Sequence, residues 1–195
     1  YLSHSELKPP FLCLIVSGGH THLVKVDEYN KFEVLGKTRD DAIGEAFDKV
    51  ARVLNLGYPG GPEVSKLALK GQATYKLPKT KFEDNLDFSF SGVKTAVLNI
   101  ANKEKENLRK ADMCTSFENN VAEVLVDHTI TLAKEKKVKK IALAGGVSAN
   151  RKLREHQKEA VQFLLSRKKC VLADEPGCGK STELAVAAIE GNFDS

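Results

Sequence analysis

The sequence predicts an α/β fold, on three observations. Short β-prone runs fill the first forty residues, helical periodicities dominate the remainder of the chain, and glycine pairs stand where strands end. The chain has 195 residues, 42% of them hydrophobic and 29% charged, enough to bury one sizeable core. One domain with a short appendage is the expectation.

FLCLIV, HLVKV and FEVLGKT are separated by SGG and DEYNK, which reads as an antiparallel meander of three strands joined by tight turns. Asp40 and Asp41 stand where they can cap the next segment, in which Ile43, Ala46, Phe47, Val50 and Leu54 share one helical face until Gly57 and Pro59 stop it. GYPGGP is a turn cluster, and Pro62 to Lys70 follows as a short helix closed by Gly71. A polar stretch leads to DFSFSG, where Ser91 and Gly92 open a helix through about Ala101. Phe117, Val121, Val124, Leu125 and Leu132 mark one long amphipathic helix from about Thr115 to Lys136. KIALAGGVSANRKLRE then reads as buried strand, glycine turn and helix.

Composition narrows the classes further. No apolar run reaches the roughly 18 residues of a spanning helix, and YLSHSELKPP lacks the pattern of an export signal. The expected location is therefore the cytoplasm. Cys13, Cys114, Cys170 and Cys178 are scattered without metal-like spacing and read as reduced thiols. The formal charge of +4 is concentrated in Lys134 to Lys140, Arg151 to Arg154 and Arg167 to Lys169. Such runs are usually solvated helix ends, with nucleic-acid binding as the alternative.

Three glycine sites carry chemistry. In IVSGGHT, a hairpin at Ser17, Gly18 and Gly19 can aim backbone amides at a phosphate, although an ordinary turn explains it too. In LAGGVSAN, a buried strand runs into Gly145 and Gly146, and Ser148 or Asn150 starts a helix whose amides favour anions. Positive φ and close approach are expected at Gly146. The third, YPGGP, permits close approach by a ligand or is a plain loop. Asp48 can hold sugar hydroxyls or pair with Arg52 at i, i+4. His20 and His22 lack a third metal ligand and read as structural, and His128 falls on the apolar face of the long helix.

Taken in order, IVSGGHTHL, DDAIGEAFDKVARVLNLGYPGGP, LDFSFSGVKTAV and IALAGGVSANRKLRE closely resemble the TsaD family of tRNA threonylcarbamoyladenosine transferases, over roughly Lys8 to Glu155. The resemblance implies an actin-like, RNase H-like ATPase fold, of which residues 1–153 supply most of the second lobe. It implies an acyltransferase that moves threonylcarbamoyl from threonylcarbamoyl-adenylate to N6 of adenosine 37 in tRNA, releasing AMP. Partners would be tRNA and other threonylcarbamoylation proteins. Carried over by position, the family's ligand contacts fall on Ile15, Val16, Ser17, Gly18, Gly19, Asp48, Gly61 and Asn150. Family members hold a divalent metal (iron, zinc or magnesium) with an HxxxH pair and a TDN aspartate. Neither motif occurs here, so no metal ligand is assigned, and this chain alone is expected not to modify tRNA.

Residues 154–195 resemble a different group. HQKEAVQFLLSRKKCVLADEPGCGKSTELAVAAI looks like the start of a Swi/Snf-type helicase ATPase, a strand and phosphate loop opening a helix. Gly177, Gly179, Lys180 and Ser181 would cradle phosphates. No acidic Walker B strand follows in these residues, so a complete motor is not expected, and the alternative function is a nucleotide-binding or interaction module. The order of strand, loop and helix also suggests that Val171 and Leu172 pair beside Ile141 to Ala144, bringing Thr182 and Glu183 near the cleft.

Overall fold

The computed structural model describes residues 7–80, 82 and 85–149. Their order is β1 (Phe11–Val16), β2 (Thr21–Glu28), β3 (Lys31–Lys37), α1 (Ile43–Val53), α2 (Gly60–Ala68), α3 (Ser91–Glu104), α4 (Lys110–Glu135) and β4 (Ile141–Ala144), with single 3-10 turns at Lys105–Asn107 and Gly146–Ala149. The sheet runs β3-β2-β1-β4. The expected meander is present, antiparallel from β1 to β3, and β4 returns parallel to β1 after four helices.

FLCLIV has no polar alternation because β1 is a central strand. Leu12, Leu14 and Val16 face the helices, while Phe11 and Cys13 join Leu7, Val24, Val26, Ala142 and Ala144 on the other face. A strand covered on both sides reads as a continuous apolar run. At the edge, β3 leaves Phe32 and Val34 exposed.

Helix α1 buries Ile43, Ala46, Phe47, Val50 and Ala51, the face its periodicity predicts. Its capping differs from expectation. Neither Asp40 nor Asp41 caps α1; the Thr21 hydroxyl accepts the Ile43 amide at 2.9 Å and the Ser17 carbonyl accepts that of Gly44 at 3.1 Å. Asp40 instead accepts from the Ser89 and Ser91 hydroxyls and the Phe90 amide, so it closes the start of α3, fifty residues away. Asp41 pairs with Lys49 at 2.5 Å and Lys94 at 2.9 Å. Burial pushes both carboxyls up, but these hydrogen bonds, with the lysine charges at Asp41, carry them below the usual carboxylate range. Either aspartate of a DD pair can serve a distant element as well as the adjacent one. Spacing along the chain does not distinguish the two.

Helix α2 starts at Gly60, two residues before the expected Pro62, so the PGGP turn cluster is the helix's first turn. Helix α4 starts at Lys110 rather than near Thr115 and runs 26 residues through the core. Phe117 meets Phe47 edge to face at 5.0 Å, pinning α4 to α1. Its polar residues anchor the irregular stretch before α3: Ser116 accepts the Tyr75 amide, and the Asn120 side chain donates to the Leu77 and Pro78 carbonyls. His128 is buried and stacks on Phe88 at 5.0 Å, as its position on the apolar face predicts.

Among the described residues no helix is long and apolar enough to cross a membrane. The C-terminal strand, P-loop and helix expected from sequence lie outside the described residues, as do Cys170, Cys178 and the pairing of Val171 and Leu172 with β4.

Candidate functional site

A cleft of 580 Å³ opens where β1 and β4 end, lined by Gly18, Gly44, Phe47, Asp48, Pro59, Gly61, Pro62, Ser65, Gly146 and Val147. Two parallel neighbours ending side by side are the usual place for a ligand crevice in an α/β sheet. Three segments singled out from sequence, SGG, YPGGP and AGGVSAN, thus meet at one cavity although about 130 residues separate the first from the last.

The floor requires glycine at two points. A Cβ on Gly44 would lie 2.7 Å from the Gly18 Cα and 2.9 Å from the Gly18 nitrogen, so the first turn of α1 can press against the hairpin only without a side chain. At Gly145, φ is +98° and a Cβ would lie 2.2 Å from the Val16 carbonyl oxygen. The expectation placed this demand one residue too late. Gly146 has no positive φ, and a Cβ there would meet nothing within 4 Å. Close packing likewise falls on Gly60, against the Asp48 Cα and the Phe47 carbonyl, whereas a Cβ on Gly61 would point into open space.

Asp48 sits in α1 with Oδ1 accepting the Gly60 amide at 2.7 Å. This bond replaces the i, i+4 pairing with Arg52 and caps α2 from a neighbouring helix. The second carboxylate oxygen has no protein donor among the described residues. Asp48 is also the only ionisable residue lining the cleft among those described. Among the described residues, attraction for an anion comes from backbone dipoles, and α2 supplies them. The Gly61 amide has no acceptor among the described residues, and Pro62 has none to offer. At the hairpin, Ser17 is occupied: its amide donates to the His20 carbonyl and its hydroxyl accepts the His20 amide. The amides of Gly18 and Gly19 remain without protein acceptors among the described residues.

Of the remaining predicted contacts, Ile15 and Val16 are strand residues, paired with His22 and Thr21 across β1–β2, and the Val16 side chain is fully buried. Asn150 and the P-loop residues Gly177, Gly179, Lys180 and Ser181 lie outside the described residues. Ser65 lines the cleft and donates to the buried Glu118 carboxylate at 2.5 Å, a role its sequence context does not mark. Gly44 is a further cleft residue absent from the expected set, although a glycine in the first turn of an otherwise good helix is a local signal of close contact.

His20 and His22 stack edge to face at 5.4 Å, and burial followed by the neighbouring His20 and Lys37 charges lowers the His22 pKa. Among the described residues no three of His, Cys, Asp and Glu stand together as metal ligands. The residues described do not fit a metal, and no step is assigned to one.

A four-stranded mixed sheet of this order, carrying four helices between β3 and β4 and a glycine-walled cleft at the strand ends, is an α/β fold shared with proteins of the actin-like ATPase fold. Full-length HypF in its phosphate- and nucleotide-bound form superposes with a TM-score of 0.66 at 13% identity, covering 83% of this chain and 36% of that one. HypF of T. kodakarensis gives 0.51 at 19% identity, over 69% of this chain and 17% of that one. These similarities speak for the fold alone. The chain belongs to the TsaD family, tRNA N6-adenosine threonylcarbamoyltransferase, which it matches over residues 1–169. Curated relatives of that name include one from Clostridium perfringens (strain SM101 / Type A), 56% identical over 161 residues, and one from Clostridium botulinum (strain 657 / Type Ba4), 55% identical over 160. Each alignment covers 80% of this chain and 48% or 47% of the relative, so the chain spans about half their length.

Proposed function

We propose that this chain is the nucleotide-holding part of a threonylcarbamoyltransferase that acts on N6 of an adenosine in tRNA, with the cleft between Gly18, Asp48, Gly61 and Gly146 taking the adenylate. The observation that carries the reading is the convergence in one cleft of free hairpin and helix amides, a lone carboxylate and an apolar wall of Phe47, Pro59, Pro62 and Val147. An adenylate supplies a partner for each: phosphate for the amides of Gly18, Gly19 and Gly61, ribose hydroxyls for Asp48, and a purine for the apolar wall. Asn150 is assigned to the purine or sugar edge by position in the family.

The N6 nitrogen bonds to the carbamoyl carbonyl carbon, the bond from that carbon to the adenylate oxygen breaks, AMP departs with its electron pair, and the nitrogen loses one proton. This chain's residues bind and orient. Asp48 fixes the sugar and, through the Gly60 amide, the start of α2, so one carboxylate ties ligand position to helix position. tRNA and other threonylcarbamoylation proteins are the partners this reading implies, in the cytoplasm.

The competing reading, a non-catalytic module whose nucleotide site is the helicase-type phosphate loop, rests on the pattern DEPGCGKS. Calorimetric titration with AMP and ATP separates the two. Asp48→Ala is expected to weaken AMP binding by about tenfold or more, the loss of one charge-assisted hydrogen-bond partner, while Lys180→Ala leaves it unchanged. The reverse pattern would transfer the nucleotide to the phosphate loop.

A further inference from the structure

Tyr58 is 85% exposed, the most exposed of the large apolar side chains described, and it immediately precedes Pro59 in the cleft wall. Among the described residues its ring has no aromatic, cationic or hydrogen-bonding partner. Isolated exposed apolar residues are common on protein surfaces and need no function. Tyr58 differs in lying on a short turn that is held at both ends. On one side the Asn55 and Leu56 amides donate to the Arg52 and Ala51 carbonyls. On the other the Gly60 amide is held by Asp48 at 2.7 Å. An aromatic ring is thus presented to solvent from a turn anchored on both sides, one residue before the cleft-lining Pro59.

We propose that Tyr58 is the platform on which the accepting adenine of the RNA stacks as its N6 amine enters the cleft. The inference rests on the reading of the cleft as an adenylate site and adds the RNA contact to it. An amine on a base edge can reach a reaction centre only if the nucleotide is splayed out of its neighbours' stack, and proteins commonly hold such bases on aromatic side chains. A tyrosine contributes a π-face and few rotatable bonds. The cleft itself is short of room for this contact, because its apolar wall is assigned to the purine of the adenylate. A second purine needs a second face, and Tyr58, exposed and next in the chain to the cleft-lining Pro59, supplies one.

The test uses the full chain and an anticodon-loop RNA oligonucleotide with 2-aminopurine in place of the accepting adenine, whose fluorescence falls when it stacks. Wild-type protein is expected to quench the probe. Tyr58→Ala should abolish the quenching and weaken RNA binding by about five- to hundredfold, the range seen when base-stacking aromatics are truncated. Tyr58→Phe should restore both, since the ring and not the hydroxyl does the work. The salt dependence of binding should have the same slope in all three proteins, because no phosphate contact is removed. AMP titration of each variant reports on the cleft separately. If AMP binds normally and Tyr58→Ala quenches and binds RNA like wild type, or if wild type binds RNA without quenching, stacking is refuted while the adenylate reading stands. Wild type that binds AMP but no RNA overturns the stacking proposal in the same way. If AMP does not bind the wild type, the adenylate reading fails first.

Discussion

Replacing Gly145 by alanine probes the joint between the sheet and the cleft. Its φ of +98° lies beyond the left-handed region that non-glycine residues tolerate, at a cost of about 1–3 kcal/mol. The new Cβ would also stand 2.2 Å from the Val16 carbonyl oxygen and 2.8 Å from its carbon. Val16 is the last residue of β1, fully buried and paired with β2, so it yields only by disturbing the central strand. Overpacking of that kind adds about 1–3 kcal/mol. The sum, about 2–6 kcal/mol, corresponds to a fall in Tm of roughly 4–24 °C for a chain of this size. Gly146→Ala is the internal control: its Cβ meets nothing within 4 Å, and stability should change by no more than about 0.5 kcal/mol. Urea unfolding of both variants, followed by circular dichroism, supplies the comparison. Equal midpoints for the two would refute the assignment of the strained turn to Gly145.

Other outcomes stem from the same geometry. Asp40→Ala should cost about 1 kcal/mol by leaving the start of α3 uncapped, whereas stability would be unchanged if the Ser89, Phe90 and Ser91 contacts were incidental, as thermal melts will show. Asp40, Asp41 and Asp87 have lowered pKa values in the folded chain, so an unfolded chain takes up their protons first as pH falls. The stability they contribute is complete above about pH 4 and is lost as pH drops through their lowered folded values; urea midpoints from pH 6 to pH 3 should show this, with a shallower decline in Asp40→Asn. The Cys13 and Cys114 thiols are buried and pushed up to about 12, Cys13 by burial and Cys114 by burial and then Glu118. Neither should react with a thiol reagent at pH 8 in the native state, and peptide mapping that finds them labelled at the unfolded rate would contradict that burial.

Much of this arrangement is legible in the sequence, for local reasons. The three meander strands, the apolar face of α1 and the buried strand before Gly145 are periodicity signals within ten residues. What local pattern misplaces depends on contacts between distant segments. Asp40 looks like a cap for the helix next to it, yet its hydrogen bonds go to α3. Thr21 caps α1 across twenty-two residues, and no local pattern announces it. Asp48 and Arg52 have ideal spacing for a pair, but the Gly60 amide offers a helix start that the carboxylate satisfies better than an exposed guanidinium. The glycine demand falls on Gly145 rather than Gly146 because the parallel pairing of β1 with β4 decides which backbone atoms collide. For the cleft, the sequence identifies three glycine segments. That they meet is a property of the topology, and so is the entry of Ser65 and Phe47 into the same wall.

Adenylate binding between the hairpin and the start of α2 is the claim on which the rest depends. Titrating AMP into the ¹⁵N-labelled full chain and following amide resonances tests it directly. The amides of Gly18, Gly19 and Gly61 should shift together with one dissociation constant, and Asp48→Ala should weaken all three alike. Shifts confined to Gly177, Gly179, Lys180 and Ser181, with the hairpin unmoved, would contradict it.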